Sequence, residues 1–151
     1  MNYVNKFSQE YIPGPVGRPG WARHIALPVT SQAPGLARQA TREVLTWWRV
    51  THMEETAVLL VSELVTNSVR HADTTDFLLA LRLEIAGPSL RIEVHDGDPR
   101  WPTPSSPAGL DESGFGFVLV EALADEWGVR ETATGKAVWA QLDARRDHAL
   151  A

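Results

Sequence analysis

The 151-residue sequence contains no cysteine, which excludes disulfide scaffolds, thiolate zinc sites and cysteine nucleophiles. No apolar run is long enough for a signal peptide or a membrane span, so the expected compartment is the cytoplasm. Basic residues are outnumbered, 14 Lys and Arg against 19 Asp and Glu, for a formal net charge of -5. A duplex-DNA binder normally carries a basic face that neutralises phosphates, so direct nucleic acid binding is not expected. A compact pocket for one nucleotide remains open, because backbone amides and a single metal ion suffice to hold a triphosphate. His24, His52, His95 and His148 lack metal-ligand spacing, and no serine has a partner base at recognisable spacing.

What is present suits one ordinary globular domain: 44% hydrophobic and 22% charged residues over a length that supports a full core. Residues 1–20 are rich in Gly and Pro without periodicity and read as an irregular leader; residues 21–151 read as the domain. WARHIAL, from Trp21 to Leu27, alternates as a first strand ended by Pro28. From Pro34 onward Leu36, Ala37, Ala40, Val44, Leu45 and Trp48 recur at helical spacing, and a second helix is expected over 53–72. Phe77, Leu79, Leu81, Leu83 and Ile85, then Leu90, Ile92 and Val94, alternate as a hairpin around Gly87-Pro88. DPRWPTPSSPAGLDE (98–112) has too much proline for helix or central strand and reads as a lid-like loop. A short helix over 114–126 and a closing strand pair, 129–131 with 137–142, complete the order. The expected fold is therefore α+β: a two-layer sandwich with helices on one face of a mixed, mostly antiparallel sheet.

Within the second helix, ELVTNSVRHA places Glu63, Asn67 and His71 four residues apart, in one polar stripe. A solvated face would show the same spacing. The pocket reading gains from order along the chain, because the stripe is followed by a strand ending in Asp96-Gly97, a lid-like loop, and Gly-x-Gly at a helix start. An Asp at a strand end is often only a turn residue. In a pocket, its carboxylate would accept from the exocyclic amine of adenine and repel the oxygen of guanine. Ser113 is a candidate N-cap, and Gly114, Phe115 and Gly116 would offer free amides to which a phosphate chain can come close.

These segments resemble a known superfamily. ELVTNSVRHA is similar to the N box of the GHKL, or Bergerat-fold, ATP-binding proteins, HDGDP to their first glycine box, and GFGFVLVEALADEWGV to their second. The nearest likeness is to the anti-sigma-factor serine kinases, over about 22–142, with GKAVWAQL as the closing strand. The resemblance implies ATP and Mg²⁺ as ligands, Glu63 as general base, Asn67 as metal ligand and His71 near the phosphates. It also implies Asp96 and Gly97 at adenine, and Gly114, Phe115 and Gly116 at the phosphates. It further implies a sigma factor and an anti-sigma-factor antagonist as partners, phosphorylation of that antagonist on serine, and it allows a homodimer. Three departures stand out: Asp98 where the family has Gly, Ala137 where a Thr supports the adenine contact, and Phe115 and Phe117 in the second glycine box. They favour an alternative, a catalytically weak nucleotide-binding module that acts by partner exchange. A detached histidine-kinase catalytic domain is disfavoured, since no phosphoacceptor helix pair is expected in this length. Trp47, Trp127 and Trp139 are expected in the core, whereas Trp101 lies in the proline-rich loop.

Overall fold

Alternation along the strands separates two faces, and only one of them is apolar enough to need a helical cover. A computed structural model describes residues 9–11, 20–71, 76–84, 88–97 and 112–146. Strands β1 (Gln9–Tyr11), β2 (Gly20–Pro28), β3 (Asp76–Glu84), β4 (Ser89–Asp96), β5 (Glu126–Thr132) and β6 (Gly135–Asp143) form one sheet, ordered β1-β2-β3-β4-β6-β5. Each ladder between neighbours in this sheet is antiparallel. β4 and β5 run in the same direction but are not neighbours, because β6 folds back between them and pairs with both. Part of the segment read as an irregular leader also joins the sheet: Gln9–Tyr11 pairs with Trp21–Arg23 and covers the edge of β2.

Leu79, Leu81, Leu90, Ile92, Val94, Val138, Ala140 and Leu142 line the inner face and pack with the helices. Helix α1 (Ala33–Trp47) begins with Pro34 in its first turn and buries Ala33, Ala37, Ala40, Val44 and Leu45. The chain leaves it through Arg49 in the left-handed region (φ 59°), with the Val50 N–H donating to the Leu45 carbonyl at 3.0 Å. A 3₁₀ turn, Thr51–Met53, leads into α2 (Glu54–His71). Glu54 and Glu55 in its first turn suit the positive end of the helix dipole. Ala57, Leu60, Val61, Leu64 and Ser68 are buried along one side of α2, as their spacing predicts.

Helix α3 (Glu112–Leu123) differs from the expected 114–126 at both ends. It stops early because Asp125 is claimed by the sheet: its N–H donates to the Gln141 carbonyl at 2.9 Å, and its carboxylate accepts from the Asp143 N–H at 2.7 Å. Glu126 therefore opens β5. The tryptophan expectation also needs correction. Trp47 is 67% exposed at the end of α1, since the buried stripe of that helix already closes with Val44 and Leu45. Trp127 is partly buried against the core. Trp139 lies on the outer face of the sheet, in register with Gly128 on β5 and Glu93 on β4. A Cβ at Gly128 would come within 2.9 Å of the Trp139 ring, so only glycine leaves room for it. The Arg91 guanidinium stacks 4.0 Å from the centre of the same ring.

The outer face is tied by charge. Glu93 accepts from Arg91 at 2.6 Å, from His95 at 2.8 Å and from Arg130 at 3.0 Å, the last reaching from β5 across β6. Burial alone would raise the Glu93 carboxyl, but the hydrogen bonds from His95, Arg130 and Arg91 outweigh it and hold the group far below the ordinary carboxylate range. Glu93→Gln should therefore lower the melting temperature at neutral pH. A depressed carboxylate stabilises above its unfolded pKa and loses that stabilisation as pH falls toward the folded one. The gap between wild type and variant should accordingly close as pH drops below about 4; a gap independent of pH would contradict the charge-tied face. In the core, Leu81→Ala, at a side chain 0% exposed, should cost about 2–5 kcal/mol in denaturant unfolding. Trp47→Ala should stay within about 0.5 kcal/mol.

Candidate functional site

The inner face does not remain apolar to the end of the sheet. On β4 the alternation Leu90, Ile92, Val94 continues to Asp96, and on β6 the run Leu142, Ala140, Val138 continues back to Lys136. Directly opposed residues of an antiparallel pair share a face, and Asp96 lies opposite Lys136 in the β4–β6 register. Their side chains meet, with Lys136 Nζ 3.0 Å from Asp96 Oδ1 and only 9% and 2% of the two side chains exposed. Asp96 is therefore one half of a buried ion pair on the helix-covered side of the sheet.

Close backbone approach holds that pair. A Cβ on Gly135 would lie 2.1 Å from the Asp96 carbonyl oxygen and 2.7 Å from Gly97 backbone atoms. No side chain fits there, so the β5–β6 turn is seated directly on Asp96-Gly97. Gly97, at the bend after β4, is exposed.

Connectivity brings α2 to the same end. Four residues separate His71 from Asp76, and so short a link spans at most about 17 Å. Leu78, two residues into β3, pairs with His95. The last turns of α2 thus reach the Asp96 end of the sheet, and α2 packs against β4, β6 and α3. Asn67 lies one turn before His71, and Glu63 one turn before that; both side chains are half-buried. The Asn67 Nδ2 atom is buried and has no hydrogen-bond partner among the described residues, an unusual state for a polar group in a folded protein.

Gly114, Phe115 and Gly116 lie within the first two turns of α3, which starts at Glu112 rather than at the expected Gly114. Ser113 consequently falls inside the helix and is not its N-cap. The side chains of His71 and Phe115, and the loop residues Asp98 and Trp101, lie outside the described residues. Among the described residues, no three His, Cys, Asp or Glu side chains cluster as a metal site, and no helix is long and apolar enough to cross a membrane.

Lys136 is the residue that sequence reasoning missed. Ala137, at the position where the family's Thr would support the adenine contact, pairs with His95 and faces the outer side. The signal was present: counting by twos back from Leu142 through Ala140 and Val138 arrives at Lys136, not Ala137.

Comparison with known proteins bears on the family and the fold. The model of the histidine kinase-like ATPase domain family matches residues 28–142. No curated protein matches the sequence. Among solved structures, the RsbU and RsbW domains of Rv1364c from Mycobacterium tuberculosis superpose with a TM-score of 0.61 at 24% identity, over 80% of this chain and 31% of that one. The present chain thus spans about a third of that protein's length, and the likeness bears on the fold. A histidine kinase domain of the blue-light activated kinase from Erythrobacter litoralis gives 0.48 at 21% identity, over 81% of this chain and 64% of that one. With the family model running from the end of β2 to the end of β6, and so across α2, Asp96 and α3, the chain belongs to the histidine kinase-like ATPase domain family, as its GHKL-like boxes led one to expect.

Proposed function

We propose that this domain binds ATP with Mg²⁺ at the Asp96 end of the sheet and transfers the terminal phosphoryl group to a serine of a protein antagonist, within a sigma-factor switch. The observation that carries the reading is the buried, unpartnered amide of Asn67, one helical turn from Glu63 and at the same end of the sheet as Asp96. A carboxamide offers an oxygen to a hard cation and an N–H to a phosphate. It is a fitting single protein ligand for Mg²⁺, whose remaining positions go to phosphate oxygens and water. The ion would neutralise charge on the phosphates. Asp96 accepts from the exocyclic amine of the base. Glu63 takes the proton of the seryl hydroxyl as its oxygen bonds to the terminal phosphorus and ADP leaves. The amide of Gly114, in the first turn of α3, would face the phosphates, with Phe115 and Gly116 following it in the helix. Partners of this kind, a sigma factor and its antagonist, rest on the resemblance of the boxes to the anti-sigma-factor kinases.

A second reading has one observation behind it. The Lys136 ammonium already donates to Asp96, which suits a module that holds nucleotide weakly and acts by partner exchange.

In calorimetry, Asp96→Asn should weaken Mg-ATP binding at least tenfold, because a charged acceptor contributes about 1.5–3 kcal/mol; unchanged affinity would remove Asp96 from the site. Glu63→Ala should leave nucleotide affinity nearly intact and cut phosphoserine formation on the antagonist by roughly 10²–10⁴-fold. Asn67→Ala should weaken Mg-dependent binding itself. If wild type binds ATP yet phosphorylates no antagonist and Glu63→Ala is indistinguishable from it, the kinase reading fails and the exchange module stands.

A further inference from the structure

The sheet ends differently at its two edges. One edge is β1, three residues long. The other is β5, seven residues without proline, which among the described residues pairs only with β6. None of its residues is buried. The outward row of N–H and C=O groups along such an edge is a template for another strand, and natural edges of this kind are commonly shortened, bent or covered.

The sequence of β5 is self-complementary in one register. Two copies joined edge to edge by a dyad perpendicular to the sheet run antiparallel, and opposed residues share a face. The dyad therefore passes through a residue rather than between two. Centred on Gly128, the pairing sets Glu126 against Arg130 and Trp127 against Val129, each twice. Centred on Val129, it opposes Trp127 and Glu131; centred on Arg130 or Glu131, it opposes like charges. Centred on Trp127, it sets Glu126 against Gly128 and pairs no opposite charges.

Side-chain placement suits the Gly128 centre. Glu126 is exposed and makes no ion pair among the described residues. The Arg130 side chain is 45% exposed and uses Nη1 on Glu93, while a guanidinium with five N–H groups keeps donors for a further carboxylate. On the same face the Trp139 ring leans from β6 over Gly128, 2.9 Å from where a Cβ would stand. The middle of the edge thus carries an aromatic surface and no side chain of β5, and a dyad there brings two such rings together. On the other face Trp127 and Val129 flank the centre, partly buried against the core, so their cross-strand pairing continues the apolar layer over the junction. We propose that the free edge of β5 is a homodimer interface, at which a second copy of this chain adds its own β5 antiparallel about Gly128. The two six-stranded sheets become one, with the described helices of both copies on one side. This interface is independent of the nucleotide reading of the Asp96 end.

Sedimentation of the full wild-type chain from about 1 to 300 µM should show a monomer–dimer equilibrium, a range suited to an interface of small area. Glu126→Arg, at an exposed position where the melting curve should not change, sets like charges opposite one another at both ends of the pairing. It should weaken dimerisation roughly tenfold or more. Because the chain has no cysteine, crosslinking reads the register directly. An equimolar mixture of Glu126→Cys and Arg130→Cys should form a mixed disulfide on mild oxidation. Either variant alone should not, since its two thiols stand four positions apart, about 13 Å, beyond the reach of a disulfide. If Arg130→Cys, which releases Glu93, fails to fold, Glu126→Arg alone decides. A wild type monomeric throughout, a dimer indifferent to Glu126→Arg, or a mixture no more crosslinked than the single variants overturns the proposal.

Discussion

Gly135 seats the β5–β6 turn on the carbonyl of Asp96, and nearly everything at this end of the molecule depends on that approach. With no Cβ to hold the turn away, β6 enters the sheet in the register that sets Lys136 against Asp96 and Val138 against Val94. The same register carries the apolar rows of β4 and β6 under α2, so the packing of the core and the geometry of the polar end are one arrangement. Burying a charged pair is costly unless its members meet at hydrogen-bond distance. A backbone fit that leaves no slack meets that requirement without long side chains having to search for each other.

The fold was largely legible because its signals are local and repeated. Period-two runs at 77–83 and 90–94 and the period near 3.6 in α2 each record a face that must be buried, and those elements stand where the pattern put them. What the local pattern does not mark depends on partners distant in sequence. Nothing local in Gln9–Tyr11 marks a strand, since it forms only by completing the edge of β2. Glu126 reads as a continuation of α3 until Asp125 is seen bonded to Gln141 and Asp143. Trp47 and Trp139 show that aromatic bulk alone does not predict burial: one projects from the end of a helix, and the other lies over a glycine on the face opposite the described helices.

The candidate site was legible in its chemistry rather than in its pairing. Glu63 and Asn67 on one helix, and Asp96 at a strand end, could be read from spacing and order. That Asp96 has a lysine for a neighbour is a fact of register, fixed by a strand forty residues away. Ala137, the next residue along β6, pairs with His95 instead, and in a strand one position is the difference between two faces.

The outer-face cluster has a consequence for folding fidelity. A strand displaced by two residues keeps its apolar side chains on the correct face, so burial alone does not penalise that error. Such a slip of β6 along β4 would move Lys136 about 7 Å from Asp96. Arg130, carried on β5, would leave Glu93 by the same distance. The Trp139 ring, with Gly128 beneath it, would lose the Arg91 stacked above. Charge and shape on the side of the sheet opposite the described helices therefore act as a vernier, rejecting near-miss pairings that the hydrophobic core would tolerate and delivering the Asp96 end in one alignment only.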